Sequence, residues 1–198
     1  MKQLIIASHN EGKVKEFRKM FEGFGLDVVS LRDLDYHEEI EETGSTFEEN
    51  ATIKAETISK QFNQTVIADD SGLVIDALDG RPGVYSARYA GEEKNDDANM
   101  DKVLYELKSV HEADRTARFI SVLAIAQPGK ETSIVQGKCE GLITEEKIGD
   151  NGFGYDPIFY VPSLGKTMAQ LEPEQKNELS HRANAMKELR NRWTDIFS

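Results

Sequence analysis

The hydrophobic positions at the start of the chain predict alternating strands and helices. Residues 3–7 form a short apolar run of the length expected of a buried strand. From Glu11 to Phe24, apolar side chains recur at the spacing of one helix face, and Gly25 can end that helix. The apolar run at residues 26–29 then predicts a second strand. The chain is therefore expected to open as strand, loop, helix and strand.

The middle of the chain continues this pattern. Residues 45–62 and 95–110 carry apolar side chains at helical spacing. The first of these segments begins with a serine–threonine pair followed three residues later by glutamates, which is the capping-box arrangement. Residues 65–68 have the pattern of a strand, and residues 73–78 resume a strand after an interruption of four residues.

The second half of the chain favours an antiparallel section. Residues 119–126, 133–143 and 158–161 have the composition of strands with no strong helical pattern between them, and glycines in the middle run indicate a bend or bulge. A last helix is predicted from about Asn177. The predicted class is therefore α/β, with an antiparallel section that indicates a second lobe.

The composition limits the classes of ligand. The formal net charge of −12 repels the backbone of a nucleic-acid polymer, so no such partner is expected. A small polyanion can still bind where lysines and arginines cluster or where carboxylates hold Mg²⁺. The apolar runs are too short to span a bilayer, and the start of the chain does not resemble a signal peptide. The single cysteine, Cys139, cannot form an internal disulfide, so the cytoplasm is the expected location.

The polar stretch SHNEGK, residues 8–13, is a candidate phosphate site. A strand end that leads into a helix start presents backbone N–H groups and the positive end of the helix dipole, and both favour an anion. Ser8 and Asn10 can donate hydrogen bonds, and Lys13 adds a positive charge. The stretch matches neither GxxxxGK[ST] nor GxGxxG, so an ordinary helix cap with a surface lysine explains it at least as well.

Glutamates around residue 45 are candidate metal ligands. Glu41 and Glu42 lie in a loop before the second predicted helix, where carboxylates can bind a divalent cation. Glu48 and Glu49 fall in the first turn of that helix, where a favourable interaction with the helix dipole already explains them. Glu41 and Glu42 are therefore the better candidates.

The sequence VIADDSGL, residues 66–73, is the leading candidate for the reactive centre. Asp69 and Asp70 end an apolar strand, and neighbouring side chains of a strand point to opposite faces, so we expect the two carboxylates to have different partners. A charge at the end of a buried strand must be paired, hydrogen-bonded or bound to a metal. A hairpin turn at Ser71 and Gly72 is the alternative, but the apolar residues on both sides favour a buried functional site.

Two later stretches combine glycine, aromatic and charged residues. In the loop at residues 149–157, glycines allow close approach to a ligand, Phe153 and Tyr155 offer flat faces for a base, and Asp156 can bond to a base edge. Residues 176–185 add three polar side chains near the start of the last helix: Lys176, His181 and Arg182. Aromatic side chains that anchor the loop in the core and a charged pair on a helix surface are the alternatives.

Taken together, these stretches resemble one family. SHNEGK, EETGSTFEENA followed two residues later by KA, ADDSGL, PGVYSARYAG, FGYDPIF and KNELSHRANA occur in the order found in the inosine/xanthosine triphosphate pyrophosphatases. The resemblance covers essentially the whole chain. A single motif is weak, but six in order form a specific pattern.

The resemblance implies a fold and a reaction. The fold would be an elongated two-lobed α/β structure with a long central mixed sheet flanked by helices. Residues 1–198 would form a single domain with the active site between the lobes. The enzyme would hydrolyse non-standard purine nucleoside triphosphates (ITP, dITP and XTP) to the monophosphate and pyrophosphate, with Mg²⁺ as cofactor and a homodimer as the assembly.

The resemblance also implies the residues that bind substrate. At the triphosphate these would be Ser8, His9, Asn10, Glu11, Gly12 and Lys13. Along the rest of the nucleotide they would be Ser71, Phe153, Gly154, Tyr155, Asp156, Lys176, His181 and Arg182. Phe153 would stack on the base, and the last two residues would recognise the purine.

The remaining implied roles concern catalysis and metal binding. Asp70 would bind the metal and act as the general base. Glu41 would be the other metal ligand, with Glu42 as the alternative, and Lys54 would add a phosphate contact. His9 stands where the family often has glycine or asparagine, so its own role is open.

Two other functions are compatible with parts of the pattern. A non-catalytic purine nucleotide sensor on the same scaffold would keep the binding residues without turnover. A general metal-dependent phosphatase would release orthophosphate from monophosphates, but the chain lacks a DxDG-type phosphatase loop.

Overall fold

The computed structural model describes residues 2–197 and contains seven strands and six α-helices among them. The strands are β1 (Lys2–Ile6), β2 (Leu26–Ser30), β3 (Thr65–Ile75), β4 (Thr116–Ala126), β5 (Ser133–Ile143), β6 (Phe159–Val161) and β7 (Lys166–Thr167). The helices are α1 (Glu11–Met20), α2 (Phe47–Phe62), α3 (Asp96–Glu106), α4 (Pro173–Leu179), α5 (His181–Asn191) and α6 (Trp193–Phe197). In the part of the chain described, no helix is long and apolar enough to cross a membrane.

The strands form one mixed sheet in the order β2-β1-β3-β4-β5-β6-β7. Both β2 and β3 pair parallel with β1, and the register places Leu4 opposite Val28 and Thr65. At the other end of the sheet, β6 pairs antiparallel with β5 and with β7. The predicted α/β class and the predicted antiparallel section are confirmed.

The chain divides into two units. The first comprises Met1–Asp70, Ser121–Gly137 and Ala185–Ser198, and the second comprises Ser71–Ile120 and Lys138–Asn184. The arrangement of one domain with two lobes and an active site between them stays a prediction.

The first unit has its core around β1, β3 and the two helices that follow the strands of the parallel section. A strand with parallel partners on both sides needs both faces covered, and the apolar residues Leu4, Ile5 and Ile6 of β1 are accordingly buried, as is Ala7 after it. The helices bury the side chains that the helical spacing predicted: Val14, Phe17 and Met20 in α1, and Ala51, Ala55 and Ile58 in α2.

The second unit has its own hydrophobic core. Buried side chains of β3, β4, β5, β6 and α3 form one cluster, which includes Leu73, Phe119, Phe159 and the loop residue Tyr155. The apolar face predicted for α3 packs into this cluster through Met100 and other side chains.

Two of the predicted elements are divided differently in the structure. β3 runs without interruption through the ADDSG segment, because its buried carboxylates find partners and the strand does not need to break. The single last helix is three helices, and the first break falls at Ser180, whose hydroxyl accepts a hydrogen bond from the Ala183 N–H at 3.1 Å and so caps α5. The glycines of β5 do not interrupt that strand, and a Cβ at Gly141 would lie 2.5 Å from the Tyr160 carbonyl oxygen.

Candidate functional site

The predicted phosphate loop lies at the start of α1. Asn10 caps this helix, because its side-chain oxygen accepts a hydrogen bond from the Lys13 backbone N–H at 3.1 Å. The Ser8 hydroxyl accepts a hydrogen bond from the Asn10 N–H at 3.1 Å. The capping role that the sequence left open is therefore present. A helix start of this kind still favours an anion, so a phosphate contact stays a prediction.

The His9 and Glu11 side chains contact the segment that follows β2. The His9 ring stacks on Tyr36 with 6.3 Å between ring centroids, and its Nε2 lies 3.1 Å from the Glu38 carbonyl oxygen. Glu11 forms an exposed ion pair with Arg32. Both side chains thus connect the loop to the protein itself, and the substrate contacts implied for them stay predictions.

Asp69 and Asp70 have different partners, as the alternation of a strand predicts. Asp69 Oδ2 lies 2.7 Å from Lys13 Nζ, and Asp69 Oδ1 accepts a hydrogen bond from the Ser121 hydroxyl at 2.6 Å. Asp70 Oδ1 lies 3.2 Å from Lys54 Nζ. Both carboxylates are buried within a continuous strand, which excludes the hairpin turn that was the alternative.

Lys54 connects the aspartate pair to the loop before α2. Its Nζ donates a hydrogen bond to the Asp69 carbonyl oxygen at 2.9 Å and forms an ion pair with Glu42 Oε1 at 2.8 Å. Burial lowers the pKa of Lys54, but the carboxylates of Asp70 and Glu42 raise it by more, so the net shift is upward. Burial raises the pKa of Asp70, and Lys54 offsets only part of that rise.

This group of side chains carries an excess of negative charge. Three carboxylates, those of Glu42, Asp69 and Asp70, face the two ammonium groups of Lys13 and Lys54, which leaves one negative charge uncompensated within the group. Positive charge on a ligand would relieve this excess.

The site fits a divalent cation that takes few ligands from the protein. Asp70 Oδ2 is buried and, among residues 2–197, has no hydrogen-bond partner. Such an acceptor is suited to a hard cation. The same residues contain no group of three or more His, Cys, Asp or Glu arranged to hold a metal. Mg²⁺ commonly takes only one or two carboxylates and completes its shell with phosphate and water oxygens, so the two observations agree.

The structure places the two candidate glutamates differently. Glu42 shares Lys54 with Asp70, whereas Glu41 is exposed to solvent. The structure therefore brings the alternative ligand into the buried group, and the metal-binding roles of both glutamates stay predictions.

In the second unit, the predicted base-binding residues lie together around Asp156. Asp156 Oδ2 accepts hydrogen bonds from Lys176 Nζ at 2.8 Å and from the Phe153 backbone N–H at 3.1 Å. Lys176 Nζ also lies 4.5 Å from the centroid of the Phe153 ring, and the Arg182 guanidinium carbon lies 5.4 Å from it. An aromatic face that contacts two cations and a buried ion pair is thus built from residues distant in sequence.

Two further predicted residues belong to the same set. The Arg182 guanidinium donates a hydrogen bond from Nη2 to the Ser71 hydroxyl at 3.0 Å. The buried His181 ring stacks on Phe119 with 4.8 Å between centroids. Arg182 of α5 thus joins Ser71 of β3 to Phe153 of the loop at 149–157, whereas His181 packs on β4.

The Tyr155 side chain matches the core-anchor alternative. Its ring is buried in the hydrophobic cluster, and its hydroxyl donates a hydrogen bond to the Ser86 carbonyl oxygen at 2.6 Å. Burial raises the pKa of Tyr155 above its ordinary value. The phenol thus holds the loop to the segment Gly83–Arg88, part of the PGVYSARYAG motif. The substrate contact implied for Tyr155 stays a prediction.

Sequence reasoning missed two side chains that complete these groups, Ser121 and Phe119. Both lie in β4, which the sequence predicted only as an apolar strand. One signal was present for Ser121, because it is a hydroxyl residue within the apolar run FISVLAIA and a buried polar group needs a partner.

Comparisons with known proteins agree over almost the full length. A model of the Ham1 family matches residues 4–192. The dITP/XTP pyrophosphatase of Oceanobacillus iheyensis is 60% identical over 190 residues, which cover 96% of each chain. The solved structure of the Staphylococcus aureus Ham1 protein is 49% identical, with a TM-score of 0.88 and coverage of 98% of this chain and 99% of that one. A HAM1 protein from Coxiella burnetii is 42% identical, with a TM-score of 0.89 and coverage of 98% and 100%.

Proposed function

Because the chain belongs to the Ham1 family, we propose that it is a nucleoside triphosphate pyrophosphatase for non-standard purine nucleotides. The reaction would convert ITP, dITP and XTP to the monophosphate and pyrophosphate. The observation that carries the proposal is the 60% identity, over 96% of both chains, to a relative named dITP/XTP pyrophosphatase.

The buried charges of the first unit support the phosphate side of this reaction. Hydrolysis of a phosphoanhydride depends mainly on positioning and on neutralising charge. Lys13 and Lys54 place two ammonium groups beside the ADDSG segment and would contact the triphosphate. Asp70, with its buried acceptor oxygen, would orient the attacking water and accept its proton. Mg²⁺ bound by Asp70 and by Glu41 or Glu42 would supply the positive charge that makes pyrophosphate a better leaving group.

The second unit supports recognition of a purine with an oxygen at position 6. Phe153 offers the aromatic face, and Lys176 and Arg182 lie against it as hydrogen-bond donors. A 6-oxygen accepts a hydrogen bond from such donors, whereas the 6-amino group of adenine cannot. Each hydrogen bond from these charged groups contributes about 1.5–3 kcal/mol, so discrimination against ATP is expected. That one nucleotide contacts both sets of residues stays a prediction.

A substrate panel with product identification tests the proposal. The protein is incubated with ITP, dITP, XTP, ATP and GTP in the presence of Mg²⁺, and the products are separated by anion-exchange chromatography. We expect pyrophosphate and the monophosphate from the first three. Release of orthophosphate and the diphosphate would refute the reaction, and tight binding of ITP without hydrolysis at any pH or metal would instead indicate a nucleotide sensor.

A matched pair of variants tests the role of Asp70. Asp70→Asn keeps the shape of the side chain but removes the base, so turnover should be lost while the circular dichroism spectrum is retained. Asp76→Asn is the control, because Asp76 pairs with Arg118 and lies outside the residues proposed to act on substrate. Near-normal turnover in Asp70→Asn would remove Asp70 from its role.

Three further expectations concern the assembly, the location and the partners of the protein; the first depends on the family resemblance and the other two on the composition. We propose a homodimer, which multi-angle light scattering at several protein concentrations tests. We also propose a cytoplasmic location without a nucleic-acid or membrane partner. Retention of the protein by DNA or lipid vesicles at physiological salt would contradict the last point.

A further inference from the structure

We propose that Asp69 and Ser121 are positioning residues that set the place of the Lys13 ammonium, an inference that rests on the proposed function. The three side chains form a chain of contacts. The Ser121 hydroxyl donates to Asp69 Oδ1 at 2.6 Å, and Asp69 Oδ2 pairs with Lys13 Nζ at 2.7 Å. Ser121 comes from β4, Asp69 from β3 and Lys13 from the first turn of α1.

The three side chains differ in how deeply they are buried. The Asp69 side chain has no exposed surface and Ser121 is also fully buried, whereas the Lys13 side chain keeps 16% of its surface exposed. A fully buried carboxylate must be satisfied by fixed donors. Asp69 is therefore anchored on the inside by Ser121 and holds the lysine charge at the surface beside the phosphate loop.

The hydrogen bond from Ser121 matters because an aspartate carboxylate turns easily. The terminal torsion of aspartate has a broad distribution, so the carboxylate needs a second contact to fix its orientation. Ser121 supplies that contact at Oδ1, and Oδ2 is thereby fixed in place. Lysine has a long, flexible stem and a compact charge, so the position of its ammonium depends on the group that it pairs with.

The same strand positions the other lysine of the group. Lys54 Nζ donates to the Asp69 carbonyl oxygen at 2.9 Å and pairs with the Asp70 side chain at 3.2 Å. Two successive residues of β3 thus place both ammonium groups. The Asp69 carboxylate holds Lys13, whereas the Asp69 carbonyl oxygen and the Asp70 carboxylate hold Lys54. A small rotation of the Asp69 side chain would move Lys13 without moving Lys54.

The test compares Ser121→Ala with Ser59→Ala. Both changes delete a hydroxyl from a buried serine, and Ser59, in α2 beyond Lys54, donates its hydroxyl hydrogen bond to the Gln64 carbonyl oxygen at 2.8 Å. We expect Ser121→Ala to lower kcat/KM for dITP about tenfold, the loss expected when a hydrogen bond to a charged group no longer positions it. Ser59→Ala should change kcat/KM less than twofold, with a comparable fall in melting temperature.

A double-mutant cycle separates positioning from a structural effect. In a Lys13→Met background, Ser121→Ala should change kcat/KM less than twofold, because the ammonium that it positions is gone. A tenfold loss in both backgrounds, or no loss in either, would overturn the inference.

A binding measurement distinguishes failure of the inference from failure of the proposed function. Calorimetry with inorganic triphosphate needs no turnover, and Ser121→Ala should weaken its binding about tenfold relative to Ser59→Ala. If the unmodified protein releases no pyrophosphate from dITP or XTP, the proposed function fails, and the calorimetric result still decides the inference. Equal affinity of the two variants would overturn it.

Discussion

Replacing Gly152 with alanine should break the buried ion pair of the second unit. Gly152 has a φ of +77°, and a Cβ at this position would overlap Asp156 Oδ2, with Asp156 Cγ only 3.0 Å away. That oxygen accepts the hydrogen bonds from Lys176 Nζ and from the Phe153 N–H. The sequence predicted that glycines in this loop allow approach to a ligand, but here the close approach is to the side chain of Asp156.

Two contributions set the size of the effect. An alanine forced into the left-handed region costs about 1–2 kcal/mol relative to glycine. Displacing the Asp156 carboxylate weakens two hydrogen bonds, and the bond from the charged Lys176 contributes about 1.5–3 kcal/mol. If the carboxylate moves far enough to lose that bond alone, the free energy of unfolding should fall by about 2.5–5 kcal/mol.

The matched control is Gly80→Ala. Gly80 has a similar φ of +84° in the same unit, but its Cβ would meet only Val74 Cγ1 at 3.9 Å, an ordinary contact. This variant should lose only the backbone contribution of about 1–2 kcal/mol. Urea unfolding followed by circular dichroism measures both values. Losses that agree within about 0.5 kcal/mol would refute the reasoning, because the overlap with Asp156 would then have no energetic consequence.

Three other changes test further contacts. Asp76→Asn should lower the free energy of unfolding at pH 7 by no more than about 1 kcal/mol, because the hydrogen bond from Arg118 lowers the pKa of the carboxyl but 46% of the Asp76 side chain is exposed. A carboxyl whose pKa is lowered on folding stabilises the folded state when the pH is above its ordinary pKa. The difference in unfolding free energy between wild type and variant, measured in urea, should therefore vanish as the pH falls through the folded-state pKa. A difference that stays constant with pH would contradict this. Tyr155→Phe removes the hydrogen bond to the Ser86 carbonyl oxygen and should lower the free energy of unfolding by about 1–2 kcal/mol, which thermal unfolding measures. An unchanged melting temperature would contradict this. Burial raises the pKa of Cys139 to about 11, so a thiol-specific disulfide reagent at pH 8 should react slowly with the folded protein and rapidly after unfolding; rapid reaction of the folded protein would contradict the burial.

Helices could be predicted from the sequence because their determinants are local. The apolar spacing of α1 and α2 needs only neighbours three and four residues away, and both helices bury the predicted face. Capping was predicted almost as well. Thr46 caps α2 through the Glu49 N–H, as expected, and the Glu49 carboxylate accepts from the Thr46 N–H as well as from the Ser45 N–H and hydroxyl. The carboxylate serves both residues because adjacent hydroxyl residues offer the same chemistry.

The course of β3 could not be predicted, because its determinants are remote in sequence. Two adjacent aspartates followed by Ser71 and Gly72 have the local composition of a turn. The strand continues because Lys13 and Ser121, from α1 and β4, satisfy Asp69, and Lys54 from α2 pairs with Asp70. Without those partners, two buried carboxylates would be strongly unfavourable in a central strand.

The same reasoning applies to the choice between Glu41 and Glu42. The two residues are identical in chemistry and adjacent in a loop, so neither periodicity nor capping distinguishes them. The ammonium of Lys54 distinguishes them, because it forms an ion pair with Glu42, whereas Glu41 is exposed to solvent. A metal bound at Asp70 could recruit Glu41 without breaking any ion pair of Lys54, whereas recruiting Glu42 would require that lysine to give up a carboxylate. Residue type alone thus predicts that carboxylates and lysines meet in this protein, and the folded positions decide which carboxylate each lysine holds.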